Sequence, residues 1–64
     1  MKQARLKYYL FKKGIKNKEV AKLLNITETT FSKKINGYSK FSLEEAIVLG
    51  KYLNTTLDEI FLTQ

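Results

Sequence analysis

The chain has 64 residues, of which 12 are Lys or Arg, 6 are Asp or Glu and none is His, so its formal net charge is +6. It has no cysteine, which excludes disulfides, and the lack of both Cys and His argues against zinc sites and His-based catalysis. A chain this short is expected to form one domain, residues 1–64, that buries about 60% of its unfolded surface. A hydrophobic content of 44% favours a folded globule over a disordered chain.

The charge is distributed unevenly along the chain. Residues 1–18 hold seven basic residues and no acidic one, whereas residues 41–64 hold one basic and four acidic residues. No apolar run reaches the roughly 20 residues of a membrane span, so we expect no membrane association. A small basic domain most often binds an anionic partner, above all nucleic acid.

The first predicted helix covers residues 2–13. Leu6 and Leu10 are four residues apart and therefore predict its inward face. Gly14 follows two lysines, and cations before a left-handed glycine are a typical end of a helix.

The second predicted helix covers residues 17–24, and either Lys16 or Asn17 is its N-cap. It turns three apolar side chains inward, Val20, Ala21 and Leu24. The third predicted helix begins after Thr27, a good N-cap residue, and ends at about Asn36. Its buried face is predicted to comprise Phe31 and Ile35, with Ile26 before it.

Two capping boxes predict the last two helices. Ser42 followed by Glu45 opens the fourth helix, with a predicted inward face of Leu43, Ala46, Ile47, Gly50 and Leu53. Thr56 followed by Glu59 opens a short fifth helix, in which Leu57, Ile60 and Phe61 are predicted to face inward. Five short helices with tight connections predict a compact all-α fold.

The aromatic residues are expected to contribute mainly to the core. All four phenylalanines fall on predicted buried faces of helices and are expected in the core rather than as stacking platforms for nucleic acid: Phe11, Phe31, Phe41 and Phe61. Tyr8 and Tyr9 are adjacent, so both cannot point inward, and one is expected to be partly exposed.

Residues 17–37 have the steric pattern of a helix-turn-helix. Small Ala21 allows a close helix crossing, Asn25 suits the turn, and Ile26 fills the angle between the helices. The second helix of such a unit enters a DNA major groove, which is about 12 Å wide. Its predicted exposed face is entirely polar: Glu28, Thr29, Ser32, Lys33 and Asn36.

Three segments of the chain, GIKNKEVAKLLNIT, TFSKKING and FSLEEAIVLGKYLNTTLDEIF, together resemble the lambda repressor-like, Cro/C1-type (XRE) helix-turn-helix domains of phages and bacteria. The resemblance covers about residues 4–62, with the helix-turn-helix unit at about 17–36. It implies a five-helix lambda repressor-like fold and a sequence-specific transcriptional regulator, a repressor acting in the bacterial cytoplasm. It implies double-stranded operator DNA as the partner, and we expect no cofactor and no small-molecule ligand. Enzymatic activity is not expected either, because the sequence shows no cluster of nucleophile, base and oxyanion donor.

The resemblance also implies which residues contact DNA. The base-reading positions correspond to Glu28, Thr29, Ser32 and Lys33, and the phosphate-contacting positions to Asn17, Lys18, Asn36, Tyr38 and Lys40. Several of these have a purely structural alternative: helix stabilisation for Glu28, capping for Asn17 and Asn36, and packing on Phe41 for Tyr38. The order Lys34-Ile35 departs from the family's usual apolar-polar order, which leaves the roles of Lys33 and Lys34 open.

One helix-turn-helix reads few base pairs, and dimers on palindromic sites overcome this limit. We therefore expect a homodimer on DNA, with an interface formed by Ile60, Phe61 and Leu62. Two other functions remain open from the sequence: a protein-interaction module of the same fold, antitoxin-like or anti-repressor-like, and a non-specific basic binder of nucleic acid.

Overall fold

The structure is a computed structural model that describes residues 3–61. Over this range the chain forms five helices and no strand, and the helices are α1 (Ala4–Lys13), α2 (Asn17–Leu23), α3 (Glu28–Ile35), α4 (Leu43–Tyr52) and α5 (Leu57–Phe61). The predicted all-α, five-helix fold is confirmed. The largest difference in the helix ends is at α1, which begins two residues later than predicted.

The five helices surround one apolar core, to which every helix contributes. Its nine buried side chains are Leu6, Leu10, Val20, Ala21, Phe31, Ile35, Leu49, Leu53 and Ile60. Among the described residues, no polar or charged residue is buried. The core therefore depends on hydrophobic burial and close packing, and truncation of a buried Phe in such a core costs about 3–5 kcal/mol.

Three of the four phenylalanines pack as predicted. Phe31 is fully buried, and Phe41 and Phe61 pack against the core through edge-to-face ring contacts. The prediction for Phe11 is wrong: its side chain is 85% exposed. Leu6 and Leu10 set the inward face of α1, and Phe11 lies about 100° around the helix from Leu10.

The buried face of α4 also differs from the prediction. Leu43 and Ile47 were expected inside but are exposed, whereas Leu49 is buried. Gly50 and Leu53 belong to both the predicted and the observed face, so the difference is a rotation of α4 about its axis that brings Leu49 inward and turns Leu43 and Ile47 outward. At Gly50 the chain entering α5 approaches α4 closely, since an added Cβ would lie 3.2 Å from the carbonyl oxygen of Thr55.

The helix boundaries follow from local capping. Gly14 and Asn25 have φ angles of 70° and 59°, in the left-handed region, as predicted. Lys16 is the extended N-cap of α2, so Asn17 is the first helical residue. The second predicted capping box forms only in half, because the Glu59 amide N–H donates to the Thr56 hydroxyl while the Glu59 carboxylate accepts from Tyr9 and Thr55.

The first capping box is complete and is joined to α3 by an ion pair. The Glu45 carboxylate accepts a hydrogen bond from the Ser42 amide N–H at 2.8 Å. The Lys34 Nζ lies 2.6 and 2.8 Å from the two Glu45 oxygens, and both side chains are largely shielded from solvent. Burial by itself would raise the pKa of Glu45, but the hydrogen bonds from Lys34 and Ser42 outweigh it, and the pKa is lowered. One carboxylate therefore begins α4 and also holds the end of α3.

This arrangement predicts a specific loss of stability in acid. Because the folded pKa of Glu45 lies below its ordinary value of 4.5, its contribution to stability is complete above that pH and is lost as the pH falls through the folded pKa. We expect Glu45→Gln to lower the free energy of unfolding by about 1–2 kcal/mol at pH 7, with a smaller difference from the wild type at pH 3. Urea denaturation from pH 7 to pH 3 measures both.

Glu44→Gln is the matched control, since Glu44 is exposed in the same first turn of α4. The pKa of Glu59 is also lowered, by hydrogen bonds from Thr55 and Tyr9, so the readout is the difference between variant and wild type. Equal pH profiles for the Glu45 and Glu44 variants would contradict the role assigned to the ion pair.

Candidate nucleic-acid interface

Helices α2 and α3 form the helix-turn-helix that the sequence predicts. Ala21 is buried where the helices cross, and Asn25 takes the left-handed turn conformation. The amide N–H of Ile26 returns to the carbonyl oxygen of Ala21 at 2.9 Å, and the Ile26 side chain packs against the core. The Asn25 amide N–H also donates to the carbonyl oxygen of Lys22 at 3.1 Å, so the turn is fixed by backbone hydrogen bonds together with one apolar side chain.

The start of α3 is set by Thr27. Its hydroxyl oxygen accepts the amide N–H of Thr30 at 3.1 Å, and the two hydroxyl oxygens are 2.9 Å apart. Thr30 is half-buried, as expected, and the exposed residues of the first turn are Glu28 and Thr29. The buried side of α3 carries Phe31 and Ile35 (both residues in the core), so its other side remains available to a partner.

The structure brings the four predicted base-reading residues together with Asn17. A surface concavity of about 380 Å³ is lined by residues from the start of α2 and the outer face of α3: Asn17, Glu28, Thr29, Ser32 and Lys33. All five are polar and can form hydrogen bonds. The concavity thus combines one predicted phosphate contact with every predicted base contact.

Lys33 and Lys34 have different surroundings. Lys33 is exposed on the outer face of α3, whereas Lys34 is half-buried and paired with Glu45. Lys34 is therefore directed toward α4 rather than toward the concavity. The two lysines, whose roles the sequence left open, therefore lie on different sides of α3.

The other predicted phosphate contacts lie outside this concavity, in less uniform settings. Lys18 lines an adjacent depression with Glu28. Tyr38 is 84% exposed, so its ring does not pack on Phe41. Lys40 is exposed and lines a separate groove beside α4 and α5. The structure therefore gathers five of the nine predicted DNA contacts in one concavity and places the other four outside it.

Both polar atoms of the Asn36 side-chain amide have hydrogen-bond partners within the fold. The Oδ1 atom accepts from the Lys7 Nζ at 2.8 Å, and the Nδ2 atom donates to the carbonyl oxygen of Ser32 at 2.9 Å. Asn36 therefore provides a hydrogen bond to the Ser32 carbonyl group in the last turn of α3. It also holds the ammonium group of Lys7, from α1, beside that end of α3. Lys7, Asn17 and Asn36 also line one concavity, together with Lys16.

Lys7 is the candidate residue that sequence reasoning missed, because the sequence indicates no more than one of seven basic residues in residues 1–18. Its contact with Asn36 spans 29 positions of sequence, and no local pattern marks such a pair. Arg5 differs from it, because its guanidinium points to the backbone oxygen of Glu59 at 3.4 Å. Of these two cations, only Lys7 is thus placed beside α3.

The predicted dimer interface needs correction at Ile60. This side chain is 1% exposed and belongs to the core, so it is not available to a second chain. Phe61 is half-buried and contacts Phe41, and Leu62 lies outside the described residues. Ile60 lies on the inward face of α5, so it cannot also belong to an outward-facing dimer interface.

Comparison with known families agrees with this geometry. A family model described as "Cro/C1-type HTH DNA-binding domain" matches residues 5–64. No curated protein is significantly similar to the chain. Within residues 3–61, no helix is both long and apolar enough to span a bilayer.

The cap of α3 gives a testable consequence for the stability of this unit. We expect Thr27→Ala to lower the free energy of unfolding by about 1 kcal/mol, because the Thr30 amide N–H loses its acceptor. Thr27→Ser keeps the hydroxyl and is expected to retain most of that stability. Urea denaturation followed by circular dichroism measures both variants. A serine variant as unstable as the alanine variant would show that the methyl group, and not the cap, matters.

Proposed function

We propose that this chain, which belongs to the family of Cro/C1-type HTH DNA-binding domains, is a sequence-specific transcriptional repressor. The family itself indicates a DNA-binding regulator. In this proposal α3 enters the major groove of a palindromic operator. The observation that carries it is the concavity shared by the outer face of α3 and Asn17. An all-polar surface on a short helix, backed by an apolar core, is suited to reading base edges.

The chemistry of the four base-reading candidates supports sequence discrimination. Lys33 can donate to O6 and N7 of guanine, and Glu28 can accept from N4 of cytosine. Thr29 offers a methyl group to thymine, and Ser32 can donate or accept. These different preferences, presented side by side, give specificity rather than general affinity for DNA.

Phosphate contacts supply affinity and fix the orientation of α3 on the duplex. Asn17 and Lys18 at the start of α2 are candidates on one side of the recognition helix, and Tyr38 and Lys40 in the following loop on the other. Asn36 is proposed to act mainly through the Lys7 ammonium that it holds. Its own amide would reach a phosphate only by giving up one of its present partners.

Repression follows in this proposal from occupancy of a promoter. The domain acts as a binding protein and not as an enzyme, on DNA in the bacterial cytoplasm. Because one copy reads a short half-site, two copies bind related half-sites about one helical turn apart, 34–36 Å. The symmetry of the operator then mirrors that of the protein dimer.

Selection of binding sites from a pool of random double-stranded DNA tests this function. We expect enrichment of an inverted repeat with half-sites about one turn apart. Salt-sensitive binding without enrichment would instead identify a non-specific basic binder. No binding to any DNA would favour the protein-interaction module.

Two lysine variants separate base reading from phosphate binding. On the selected site, Lys33→Ala is expected to lose about 1–3 kcal/mol of binding free energy and to relax the preference at one base pair. Lys40→Ala is expected to weaken binding to all sequences about equally and to reduce the slope of log K against log salt by about 1. Fluorescence anisotropy with the selected site and single-base variants at several salt concentrations measures both effects. Unchanged base preference in Lys33→Ala would contradict the assignment of Lys33.

A further inference from the structure

The outer face of α4 carries apolar side chains that have no place in the core. Leu43 is 72% exposed, and Ile47, Val48 and Tyr52 are exposed as well. The remaining exposed residues of this helix are Glu44 and Lys51. At 100° per residue, all six lie on one half of the helix circumference. None of them lines the concavity of α3 and Asn17, so this face is separate from the proposed base-reading surface. Only Leu43, at one end of the face, shares a groove with a proposed phosphate contact, Lys40.

The six residues are arranged symmetrically about the midpoint between Ile47 and Val48. Apolar residues occupy the two central positions, opposite charges lie three residues outward, at Glu44 and Lys51, and apolar residues lie one position beyond, at Leu43 and Tyr52. The intervening residues turn toward the protein. A helix face with this pattern is complementary to a second copy of itself running in the opposite direction.

We propose that α4 is the surface through which two copies of this chain associate, packed antiparallel about a twofold axis at that midpoint. Such an interface is isologous, so each contact occurs twice. Glu44 then lies at the same height as Lys51 of the partner subunit, and Ile47 and Val48 of both copies lie next to the axis. Leu43 and Tyr52 cover the two ends of the contact.

The charges select this direction of packing. Parallel helices related by a twofold axis would place Glu44 against Glu44 and Lys51 against Lys51, and like charges in contact repel. Antiparallel helices place each acid against a base. At one end of this face, the Tyr52 hydroxyl donates to the Glu19 carboxylate of α2 at 3.0 Å, which holds this side chain in one position.

The size of this face predicts a weak dimer. Six side chains on a ten-residue helix are far fewer than the roughly 20–30 residues per partner of a stable interface. We therefore expect the free chain to be largely monomeric at micromolar concentration. Two adjacent half-sites raise the effective concentration of one copy beside the other, so association through α4 becomes complete on DNA. This last step rests on the proposed DNA-binding function, whereas the contact itself does not.

Disulfide trapping without DNA tests the contact directly, because the chain contains no cysteine. Antiparallel helices packed 8–10 Å apart bring residues next to the axis within disulfide reach of their symmetry mates. In a redox buffer at about millimolar protein, well above the weak association expected for so small an interface, we expect Ile47→Cys to form a covalent dimer. Lys13→Cys, on the exposed end of α1, is the control and should remain monomeric. Equal cross-linking of the two variants would overturn the proposal.

Charge exchange in the Ile47→Cys background tests the direction of packing. Glu44→Lys alone and Lys51→Glu alone each place like charges against each other and should lower the dimer fraction about fivefold. The double variant, with the net charge of the wild type, restores both pairs and should restore the dimer. A double variant no better than the single variants would overturn the antiparallel arrangement.

The DNA measurements keep the two proposals apart. Cross-linking through Ile47→Cys together with no enrichment of palindromic DNA would retain the α4 contact and reject the proposed operator function. Binding to a selected inverted repeat without cross-linking would do the reverse. Thermal denaturation of each variant confirms that these exposed substitutions leave the fold intact, so a lost dimer reports the interface.

Discussion

Burial of Phe31 and Ile35 is the constraint on which the rest of the structure depends. The helix that carries them, α3, has only eight residues, and helices this short are unstable in water without tertiary contacts. Its existence and its orientation therefore come from the same two side chains. Once they occupy the core, Glu28, Thr29 and Lys33 have nowhere to lie except on the surface beside Asn17. The surface that faces DNA in the proposed function is a consequence of the core.

Polar contacts refine that orientation at the end of α3. Lys34 is held by Glu45 of α4, and Asn36 is held by Lys7 of α1. The two contacts connect the recognition helix to helices on either side of it. They involve neighbouring positions with different surroundings: the Lys34 pair is shielded from solvent, whereas the Lys7 ammonium is exposed. A shielded ion pair resists screening by salt, and an exposed cation stays available for a phosphate.

The sequence predicted what is governed by local chemistry. The Ser42–Glu45 capping box, the left-handed Asn25 and the end of α1 at Gly14 involve residues within a few positions of one another, and their side chains or φ preferences determine the local conformation. The helix-turn-helix followed from the same short-range signals. Within the candidate site, the polar face of α3 was predictable because the period of the helix separates it from Phe31.

Long-range contacts were not predictable in the same way. Hydrophobic spacing predicted an inward face of α4 that includes Leu43 and Ile47, whereas the packing of the folded chain turns Leu49 inward instead. Phe11 was placed inside because it is apolar, although Leu6 and Leu10 already fill the inward face of α1. The partners of Lys7 and Lys34 depend on how helices distant in sequence pack. A lysine in isolation carries no information about which carbonyl or carboxylate it will meet.

The acidic C-terminal part of the chain can be divided by the same reasoning. Glu45 and Glu59 have hydrogen-bond partners within the fold, so their carboxylates stabilise contacts inside this chain. Glu44 is exposed one position before Glu45 and points about 100° away from it around α4. In the proposed dimer, Glu44 meets the partner subunit while Glu45 holds α3 through Lys34. Adjacent residues of α4, Glu44 and Glu45, would then link the dimer contact to the recognition helix α3. The distance between the two copies of α3, and with it the spacing of two half-sites on DNA, would be set by the shielded Lys34–Glu45 ion pair rather than by a flexible loop.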